Sequence, residues 1–236
     1  HALRDILSQS RCNVTPVRVD QDGLPPEAIP PGTDAIFTTP SHQSPTNATM
    51  PMARRRALLD RAREMDALIV EDDYEFEMSF LKPPSPALKA LDHGGRVIYV
   101  GSFSKSLFPG LRLGYLVGPA PFIREARALR ASVLRHPPGH IQRTVSYYLS
   151  LGHYDALVRR MGQAYHERRR IMDASLANHD IKVAGQGVYG GSSLWLEAAE
   201  NVDTSRTTFF EEGDWNWEFG KVETHIQPLS ACEGCD

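Results

Sequence analysis

The stretch VIYVGSFSKSLFPGLRLGYLVGP, residues 97–119, decides the fold class and raises the question of function. It opens with the apolar, β-prone run VIYV, and a second apolar run, YLV, follows at residues 115–117. Between them lies a serine-rich turn that contains one lysine, Lys105, and is followed by Arg112. The pattern predicts two strands joined by a polar turn, with the lysine just beyond the end of the first strand.

Lys105 lies among groups that together suit a chemical role. In an apolar environment the ammonium form of a lysine is disfavoured, and the free amine is a nucleophile. Ser102 and Ser104 add hydroxyls, and Arg112 adds a planar cation, which together make a phosphate site. A nucleophilic amine beside a phosphate site indicates an aldehyde cofactor that carries a phosphate, which is pyridoxal 5′-phosphate. The alternative is an ordinary exposed lysine in a loop.

Apolar strands and amphipathic helices alternate along the rest of the chain. Further strands are predicted at 14–20, 35–40 and 67–73, helices at 52–65, 121–134, 140–151 and 153–178, and two late strands in IKVAG and SSLWLEA. Continuous apolar strands between helices are typical of an α/β fold with a mostly parallel sheet flanked by helices. Ligands bind beyond the carboxyl ends of such strands.

The acidic run EDDYEFE, residues 71–77, follows the strand predicted at 67–73. Asp72 and Asp73 point to opposite faces of an extended chain, so only one of them can face a ligand. Tyr74 shares the face of Asp72 if the extended pattern continues. Pyridoxal phosphate needs an acid at its ring nitrogen and a hydroxyl near its ring oxygen, and the strand end at 71–74 supplies both kinds of group. The alternatives are a solvated acidic loop and a metal site, although no histidine or further carboxylate follows at a suitable spacing.

The composition is that of an ordinary globular protein. The 236 residues are 41% hydrophobic and 23% charged, and the formal net charge is −3. This charge excludes a general basic surface for nucleic acid, and the apolar runs are too short to cross a bilayer. The three cysteines make no disulfide framework, so we expect a cytoplasmic location. Two of them form a terminal CxxC, Cys232 to Cys235, which by itself is a weak indication of a redox or zinc site.

Three segments in sequence order resemble one known family. They are TPSHQSPTNATMP (39–51), ALIVEDDYEFE (67–77) and GSFSKSLFPGLRLGYLVGP (101–119). Together they resemble the aminotransferase-like domain of MocR-type regulators, bacterial transcription factors of the GntR superfamily. These proteins join an N-terminal winged helix-turn-helix domain to a C-terminal fold-type-I domain that binds pyridoxal phosphate.

The resemblance implies a fold, an assembly and partners. Residues 1–135 would be a partial large domain of the kind found in pyridoxal phosphate-dependent transferases. Residues 136–236 would hold connecting helices and part of a smaller α+β C-terminal domain. The family forms dimers, so a homodimer is expected. DNA would be contacted only through a helix-turn-helix domain absent from this chain, and the small-molecule partner would be an amino compound.

The resemblance also implies roles for individual residues. Lys105 would form an internal aldimine with pyridoxal phosphate, which an amino-compound effector would replace with an external aldimine. Asp72 would pair with the pyridine nitrogen, and Tyr74 would contact the ring hydroxyl. Ser102, Ser104 and Arg112 would hold the phosphate. The loop residues Ser41, His42 and Gln43 would line the side of the cofactor.

The sequence departs from the family pattern in several places. Asn47 stands where the family usually has glycine, and asparagine tolerates the left-handed backbone that such a position requires. The N-terminal part of the cofactor domain is missing, so this chain is expected to be a piece of a longer protein. After about Ser205 the sequence no longer resembles the family.

The sequence is compatible with three hypotheses about function. The first is a regulatory domain that senses an amino compound through its cofactor. The second is a class I/II aminotransferase in which Lys105 also moves the α-proton of an amino acid. The third is a degenerate domain that keeps the fold and binds nothing. The first two begin with the same chemistry at Lys105, so local residues do not separate them.

Overall fold

The computed structural model describes residues 2–136, 138–179, 182–184 and 188–197 of the chain. Within them the strands are β1 (Ala35–Thr38), β2 (Leu68–Asp73), β3 (Val97–Ser102), β4 (Gly114–Val117), β5 (Lys182–Ala184) and β6 (Trp195–Glu197). The α-helices are α1 (Ala2–Gln9), α2 (Met52–Glu64), α3 (Leu88–Leu91), α4 (Ala120–Leu134), α5 (Gly139–Ser150) and α6 (His153–Ala177). Short 3-10 helices cover Pro26–Ala28, Phe76–Met78 and Pro109–Leu111.

The main sheet has the strand order β1-β2-β3-β4. The first three strands are parallel, and β4 runs antiparallel to β3. Because β1, β2 and β3 all end at the same side of the sheet, the loops that follow them are neighbours. We call this side the carboxyl edge. β4 starts there, since its first residue, Gly114, pairs with Ser102 at the end of β3.

Helix α2 covers one face of the sheet and forms the core with it. Its alanine, leucine and arginine residues have high helix propensity, and its apolar side chains recur at helical spacing. Leu58 and Ala62 of α2 are fully buried, as are Ile69 of β2 and Val97 of β3, and all four belong to one apolar cluster. The parallel strands that pack here each begin with an apolar run, as expected for strands inside such a sheet, and polar residues follow at their carboxyl ends.

The later helices follow the sequence prediction closely. Helices α4, α5 and α6 each lie within one residue of the predicted ranges at both ends. After them, β5 and β6 form a separate antiparallel pair, which matches the two late strands. The mostly parallel sheet flanked by helices is confirmed, whereas the domain boundary at residue 135 stays a prediction. The C-terminal CxxC lies outside the described residues.

One predicted strand is wrong. Residues 14–20 alternate in a β-like way, but the structure gives them no ladder, and Asp20 makes only an isolated bridge to Gly23. Val17 and Val19 instead pack against the apolar cluster as an irregular segment. Their alternation reflects one buried side of a loop, a pattern that a strand would share.

A buried arginine connects α2 to the loops beside the carboxyl edge. Arg55 is fully buried, and its guanidinium donates hydrogen bonds to the carbonyls of Met50 (2.9 Å), Pro40 (2.9 Å) and Pro86 (3.1 Å). Its Nη1 also lies 3.8 Å from Oε1 of Glu71, which is itself fully buried. One cation therefore connects residues 40 and 50, which also pair with each other through Met50 N–H and Pro40 O, to the backbone at residue 86.

Glu71 uses its carboxylate to begin the next helix. It accepts hydrogen bonds from the backbone N–H groups of Leu88 (2.7 Å) and Lys89 (2.8 Å), in the first turn of α3. Burial raises the pKa of Glu71, and these hydrogen bonds oppose the shift. The first acidic residue of the EDDYEFE run therefore has a structural role.

We predict that Arg55→Ala lowers the free energy of unfolding by about 3–5 kcal/mol, because it leaves three carbonyls and a buried carboxylate without their cation. Urea unfolding followed by circular dichroism measures the change. Arg56→Ala is the matched control, since Arg56 is the next residue of α2 and is exposed, and its effect is expected to stay within about 0.5 kcal/mol. Equal effects of the two substitutions would contradict the structural role of Arg55.

Candidate functional site

The predicted site residues all lie at the carboxyl edge. Three loops meet there, at residues 39–51 after β1, 74–81 after β2 and 103–113 after β3. Their members in the predicted set are His42, Gln43, Tyr74, Ser104, Lys105 and Arg112, while Asp72 and Ser102 lie at the strand ends. Residues that are separated by up to 70 positions in the sequence are therefore brought to one side of the sheet by the parallel topology.

Asp72 and Asp73 differ in burial, as the alternation of side chains along a strand predicts. Asp73 is buried and accepts a hydrogen bond from the hydroxyl of Tyr99 at 3.1 Å. Asp72 is half-buried, and among the described residues its carboxylate has no hydrogen-bond or ion-pair partner. Burial raises the pKa of Asp72. Asp72 is therefore the member of the pair whose carboxylate remains available to a ligand.

Tyr74 was predicted to share a face with Asp72 if the strand continued, but the strand does not continue to Tyr74. Strand β2 ends at Asp73, and Tyr74 is the first residue of the turn that follows. The period-2 alternation therefore does not reach Tyr74, and its position relative to Asp72 is set by the turn. The side chain of Tyr74 hydrogen-bonds to Glu75, where it lowers the pKa of that carboxyl group. Contact between Tyr74 and a ring hydroxyl stays a prediction.

The turn after β3 holds Lys105 between serines with different roles. Ser102 Oγ accepts a hydrogen bond from the backbone N–H of Ser104 at 3.1 Å, which tightens the turn. Ser106 is buried, and its hydroxyl accepts a hydrogen bond from Tyr154 of α6 at 2.8 Å. Lys105 itself is half-buried. The turn is thus fixed on both sides of the lysine, by its own serine and by a helix of the later part of the chain.

Arg112 closes this turn in a left-handed conformation. Its φ is 48°, and it ends the 3-10 helix Pro109–Leu111 with its side chain exposed. A left-handed backbone costs about 1 kcal/mol or more for a residue with a side chain. The guanidinium stands at the beginning of β4, on the same edge as Ser102 and Ser104. Hydroxyl donors, turn N–H groups and a planar cation together suit a phosphate group.

Aromatic rings form the layer behind the turn. Tyr115 of β4 stacks against Tyr99 with ring centroids 6.0 Å apart and contacts Phe103 at 5.5 Å. Phe103 meets Tyr154 of α6 edge-on at 5.8 Å. Gly101 makes room for the ring of Tyr115, because a Cβ there would lie 2.2 Å from Tyr115 Cζ. The glycine before the SFSK sequence is therefore needed for packing.

The loop after β1 is shaped by its own side chains. Gln43 Oε1 accepts hydrogen bonds from the backbone N–H (3.1 Å) and hydroxyl (2.5 Å) of Thr46, and Gln43 Nε2 donates to the carbonyl of Ser44. His42 is 2% exposed, and neither ring nitrogen has a hydrogen-bond partner among the described residues. Burial, together with the charge of Arg55, lowers the pKa of His42 to about 4. The ring is therefore neutral at pH 7.

Asn47 adopts the backbone conformation that the departure from glycine requires. Its φ is 56°, in the left-handed region. Its Nδ2 donates hydrogen bonds to the carbonyls of Gly190 at 2.7 Å and Ser193 at 3.1 Å. Asparagine thus keeps the turn and adds a link to a segment more than 140 residues later, which a glycine does not provide.

Sequence reasoning missed one buried carboxylate at this edge. Glu75 is 1% exposed and accepts hydrogen bonds from the backbone N–H (3.3 Å) and hydroxyl (2.5 Å) of Ser192. It lies in the EDDYEFE run, which allowed a solvated acidic loop as an alternative. The structure excludes that alternative for Glu71, Asp73 and Glu75, because all three are buried. No local pattern indicates Ser192 as a partner, since 117 residues separate it from Glu75.

The described residues contain no group of three or more histidine, cysteine, aspartate or glutamate side chains able to hold a metal ion. Of the helices in the same residues, none has the length and apolar composition that a bilayer-spanning segment needs. The polar groups at this edge are an amine at Lys105, a carboxylate at Asp72 that has no partner among the described residues, and hydroxyls and a guanidinium on the turn after β3. This set fits pyridoxal phosphate, which carries an aldehyde, a basic ring nitrogen and a phosphate.

The family model for aminotransferase class I and II matches residues 5–193 of the chain. The chain belongs to this family. The HTH-type transcriptional regulator TauR of Rhodobacter capsulatus is 58% identical to it over 201 residues, which are 85% of this chain and 42% of that protein. The probable rhizopine catabolism regulatory protein MocR of Rhizobium meliloti is 36% identical over 174 residues, 73% of this chain and 35% of that protein. The predicted resemblance to MocR-type regulators is thereby confirmed.

Solved aminotransferases share the fold. Pyrococcus horikoshii kynurenine aminotransferase, whose crystal structure contains PMP, superposes with a TM-score of 0.71 at 28% identity. The match covers 80% of this chain and 49% of that one. This chain thus spans about half of a related aminotransferase and about two-fifths of the curated regulator TauR. The predicted fold type is confirmed, and the family match agrees with pyridoxal phosphate as the predicted cofactor.

His42 and Asp73, two of the groups with shifted pKa values, give opposite pH dependences of stability. His42 has a pKa of about 4 when folded and 6.5 as a free group, so its stabilising contribution is lost as pH falls from 6.5 to 4. Burial raises the pKa of Asp73 from 3.8 to about 6, against the hydrogen bond from Tyr99 and the charge of Arg55. The folded state therefore holds the Asp73 proton more tightly, and stability from this group is lost as pH rises from 4 to 6.

We predict that single substitutions separate these opposing effects. Relative to the wild type, the stability of His42→Gln should fall as pH rises from 4 to 6, and that of Asp73→Asn should rise, each by at most about 1.4 kcal/mol per pH unit. Urea unfolding at several pH values in this window measures both slopes. Asp34→Asn, at an exposed site, is the control and should run parallel to the wild type. Parallel curves for all four proteins would rule out the shifted pKa values.

Proposed function

We propose that this chain is the cofactor-binding and effector-sensing part of a transcriptional regulator, with pyridoxal 5′-phosphate attached at Lys105 and a small amino compound as the effector. The observation that carries the proposal is the identity of 58% to a transcriptional regulator over 85% of the chain. It is supported by the site, since Lys105 and Asp72 lie at the ends of adjacent parallel strands.

Each residue has a role that follows from its chemistry. Lys105 provides the amine for covalent attachment. Asp72 binds the protonated ring nitrogen, because its carboxylate has no other partner in the described residues. Ser102, Ser104 and Arg112 hold the phosphate, and the hydroxyl of Tyr74 serves the ring oxygen.

His42 and Gln43 belong to the loop that lines the side of the cofactor. Gln43 is half-buried and fixed by its own turn, so it presents a preformed surface to a ligand, whereas the neutral ring of His42 is buried. The cofactor supplies an aldehyde that captures amines and a ring that withdraws electrons. The protein groups orient it and keep Lys105 beside it.

A second candidate is a working aminotransferase. The structural neighbour at a TM-score of 0.71 is such an enzyme, and the aromatic-amino-acid aminotransferase 1 of Thermococcus litoralis is 33% identical over 72% of this chain. Incubation of the cofactor-loaded chain with amino acids and a keto acid separates the candidates. Stoichiometric amine binding without turnover supports the sensor, whereas sustained production of a new amino acid supports the enzyme.

The partners of the whole protein are part of the same proposal. DNA is bound through a helix-turn-helix domain outside this chain, as the names of the curated relatives indicate for those proteins. A homodimer is expected from the family. The exposure of Leu129, Val133 and Leu134 on α4, at 68%, 69% and 70%, agrees with a covered surface in a larger assembly. The cytoplasmic location stays a prediction.

We predict that borohydride reduction of the chain with pyridoxal phosphate places the cofactor's mass on the peptide containing Lys105. Reduction makes the lysine adduct permanent, so peptide mass spectrometry identifies the attachment site. Lys105→Ala should lose this adduct, and Lys82→Ala, at an exposed lysine of the loop after β2, should retain it. An adduct that is as abundant in Lys105→Ala as in the wild type would contradict the assignment.

We also predict that Asp72→Asn weakens binding of pyridoxal phosphate about 10- to 100-fold, because a charged hydrogen bond contributes about 1.5–3 kcal/mol. Equilibrium dialysis of the chain against the cofactor gives the dissociation constants. Asp60→Asn, on the exposed side of α2, serves as the control. Weaker binding in Asp73→Asn but not in Asp72→Asn would contradict the assignment of Asp72 to the ring nitrogen.

A further inference from the structure

Tyr154 is a half-buried tyrosine to which the proposed function assigns no role. It lies in the first turn of α6, which begins at His153. Its hydroxyl hydrogen-bonds to the carboxylate of Glu77 and to Ser106 Oγ, which lies 2.8 Å away. One hydroxyl therefore connects three elements: the helix α6, the 3-10 helix that follows β2, and the turn that follows β3.

The turn after β3 meets Tyr154 on both sides of Lys105. A hydrogen bond of 2.9 Å from the Leu107 N–H to the Phe103 carbonyl closes the turn around the lysine. Before the lysine, the ring of Phe103 meets the ring of Tyr154 edge-on, with centroids 5.8 Å apart. Directly after the lysine, Ser106 is 1% exposed and bound to the Tyr154 hydroxyl. The backbone that carries Lys105 is therefore fixed by contacts with one side chain of α6.

The carboxylate of Glu77 fixes the direction of the Tyr154 hydroxyl. Glu77 lies in the 3-10 helix Phe76–Met78, and Met78 of this helix is 2% exposed. Burial and the hydrogen bond with Glu77 raise the pKa of Tyr154, so the hydroxyl keeps its proton at neutral pH. Hydrogen bonds to a carboxylate are stronger than those between neutral groups. Glu77 therefore anchors Tyr154, and Tyr154 in turn anchors Ser106.

The serines before Lys105 are held in a different way from the serine after it. Ser102 Oγ accepts a hydrogen bond from the Ser104 N–H at 3.1 Å, which holds the first side of the turn. Ser106, on the second side, is held by Tyr154. The proposed function places the phosphate on Ser102 and Ser104 and the covalent bond at Lys105. Loss of the Tyr154 hydroxyl should therefore disturb the amine more than these phosphate ligands.

Arg112, the third proposed phosphate ligand, is positioned by its own backbone. Its N–H donates to the carbonyl of Pro109 at 3.2 Å, at the end of the 3-10 helix Pro109–Leu111. Two residues later Gly114 pairs with Ser102 at the end of β3. The proposed phosphate ligands are thus tied to the sheet, whereas Ser106 is tied to α6.

We propose that Tyr154, anchored by Glu77, is a positioning residue that holds Ser106 and thereby sets the place of the Lys105 amine. Covalent attachment requires this amine within bonding distance of the cofactor's aldehyde carbon, where a C=N bond forms and water leaves. The inference deepens the proposed function and rests on it, because it assigns a residue to the attachment step. It makes that step depend on α6, since Tyr154 follows Ser106 by 48 residues.

A tyrosine that only stabilised the fold would affect every ligand of the site alike. Pyridoxine 5′-phosphate separates the two cases, because it has the ring and phosphate of the cofactor but an alcohol in place of the aldehyde, and it cannot bond to Lys105. Tyr154→Phe removes the hydroxyl and keeps a ring beside Phe103. Ser106→Ala removes the partner of that hydroxyl on the turn.

The test is equilibrium dialysis of the chain against pyridoxal 5′-phosphate and, separately, against pyridoxine 5′-phosphate. We expect Tyr154→Phe and Ser106→Ala each to weaken binding of pyridoxal phosphate roughly fivefold, and binding of pyridoxine phosphate by less than about twofold. The double variant should bind no more weakly than Tyr154→Phe, because the tyrosine acts through the serine. Tyr147→Phe, at an exposed tyrosine of α5, is the control and should match the wild type.

Hydrogen exchange of the peptide 103–113, measured without cofactor, tests the same contact in the turn. We expect exchange to be roughly three- to tenfold faster in Tyr154→Phe and Ser106→Ala, with the protection of β2 and β3 unchanged. The inference would be overturned by unchanged exchange, by wild-type affinity for pyridoxal phosphate, by equal weakening of both ligands, or by additive effects in the double variant. The proposed function fails separately, if the wild-type chain forms no adduct at Lys105, and hydrogen exchange then still decides whether Tyr154 holds the turn.

Discussion

A buried guanidinium holds the carboxyl edge in place. The cation of Arg55 joins both ends of the loop after β1, at Pro40 and Met50, to the approach to α3 through three carbonyl groups, and it lies beside the buried carboxylate of Glu71. Burying such a pair is favourable only when nearly every polar atom is satisfied, and here the backbone supplies most partners. The loop that carries His42 and Asn47 is positioned by this network, and so is the strand end that presents Asp72. The site depends on it although Arg55 has no role in the chemistry.

The arrangement at this edge serves a sensor and an enzyme equally well up to the capture of an amine. A sensor needs in addition a path by which capture changes another part of the protein. The described structure contains polar links of that kind: Tyr154 to Ser106, Asn47 to Gly190, and Ser192 to Glu75. Each joins a loop of the carboxyl edge to residues beyond 150. Energetic coupling between two regions requires contacts whose strength depends on the state of one of them.

The sequence was most informative where the information is local. Strands β2 and β3 end in residues that carry chemistry, and their order in the chain was enough to predict that Asp72, Ser102 and Lys105 meet at one edge. The alternation of Asp72 and Asp73 followed from strand geometry alone. The strand predicted at 14–20 is wrong because an irregular stretch with one buried side has the same pattern of apolar residues as a strand. Tyr74 was assigned to a face that exists only while the strand continues, and β2 ends one residue earlier.

The contacts that the sequence did not predict are those between distant residues. Glu75 and Ser192, Asn47 and Gly190, and Arg55 and Pro86 are pairs that only the folded chain brings together, and neither partner stands in a pattern that identifies the other. The identity of an asparagine or a glutamate in a loop fixes what it can bind, but the fold decides what it meets. Burial of three acidic residues in one short run was likewise decided by the packing around them.

A crystal structure of the chain after incubation with pyridoxal 5′-phosphate would show directly whether the predicted site residues bind the cofactor. We predict continuous density from Lys105 Nζ into the cofactor, with the ring nitrogen at the Asp72 carboxylate and the phosphate on Ser102, Ser104 and Arg112. Cofactor density attached to another lysine, or a ring whose nitrogen meets Asp73 in place of Asp72, would contradict it.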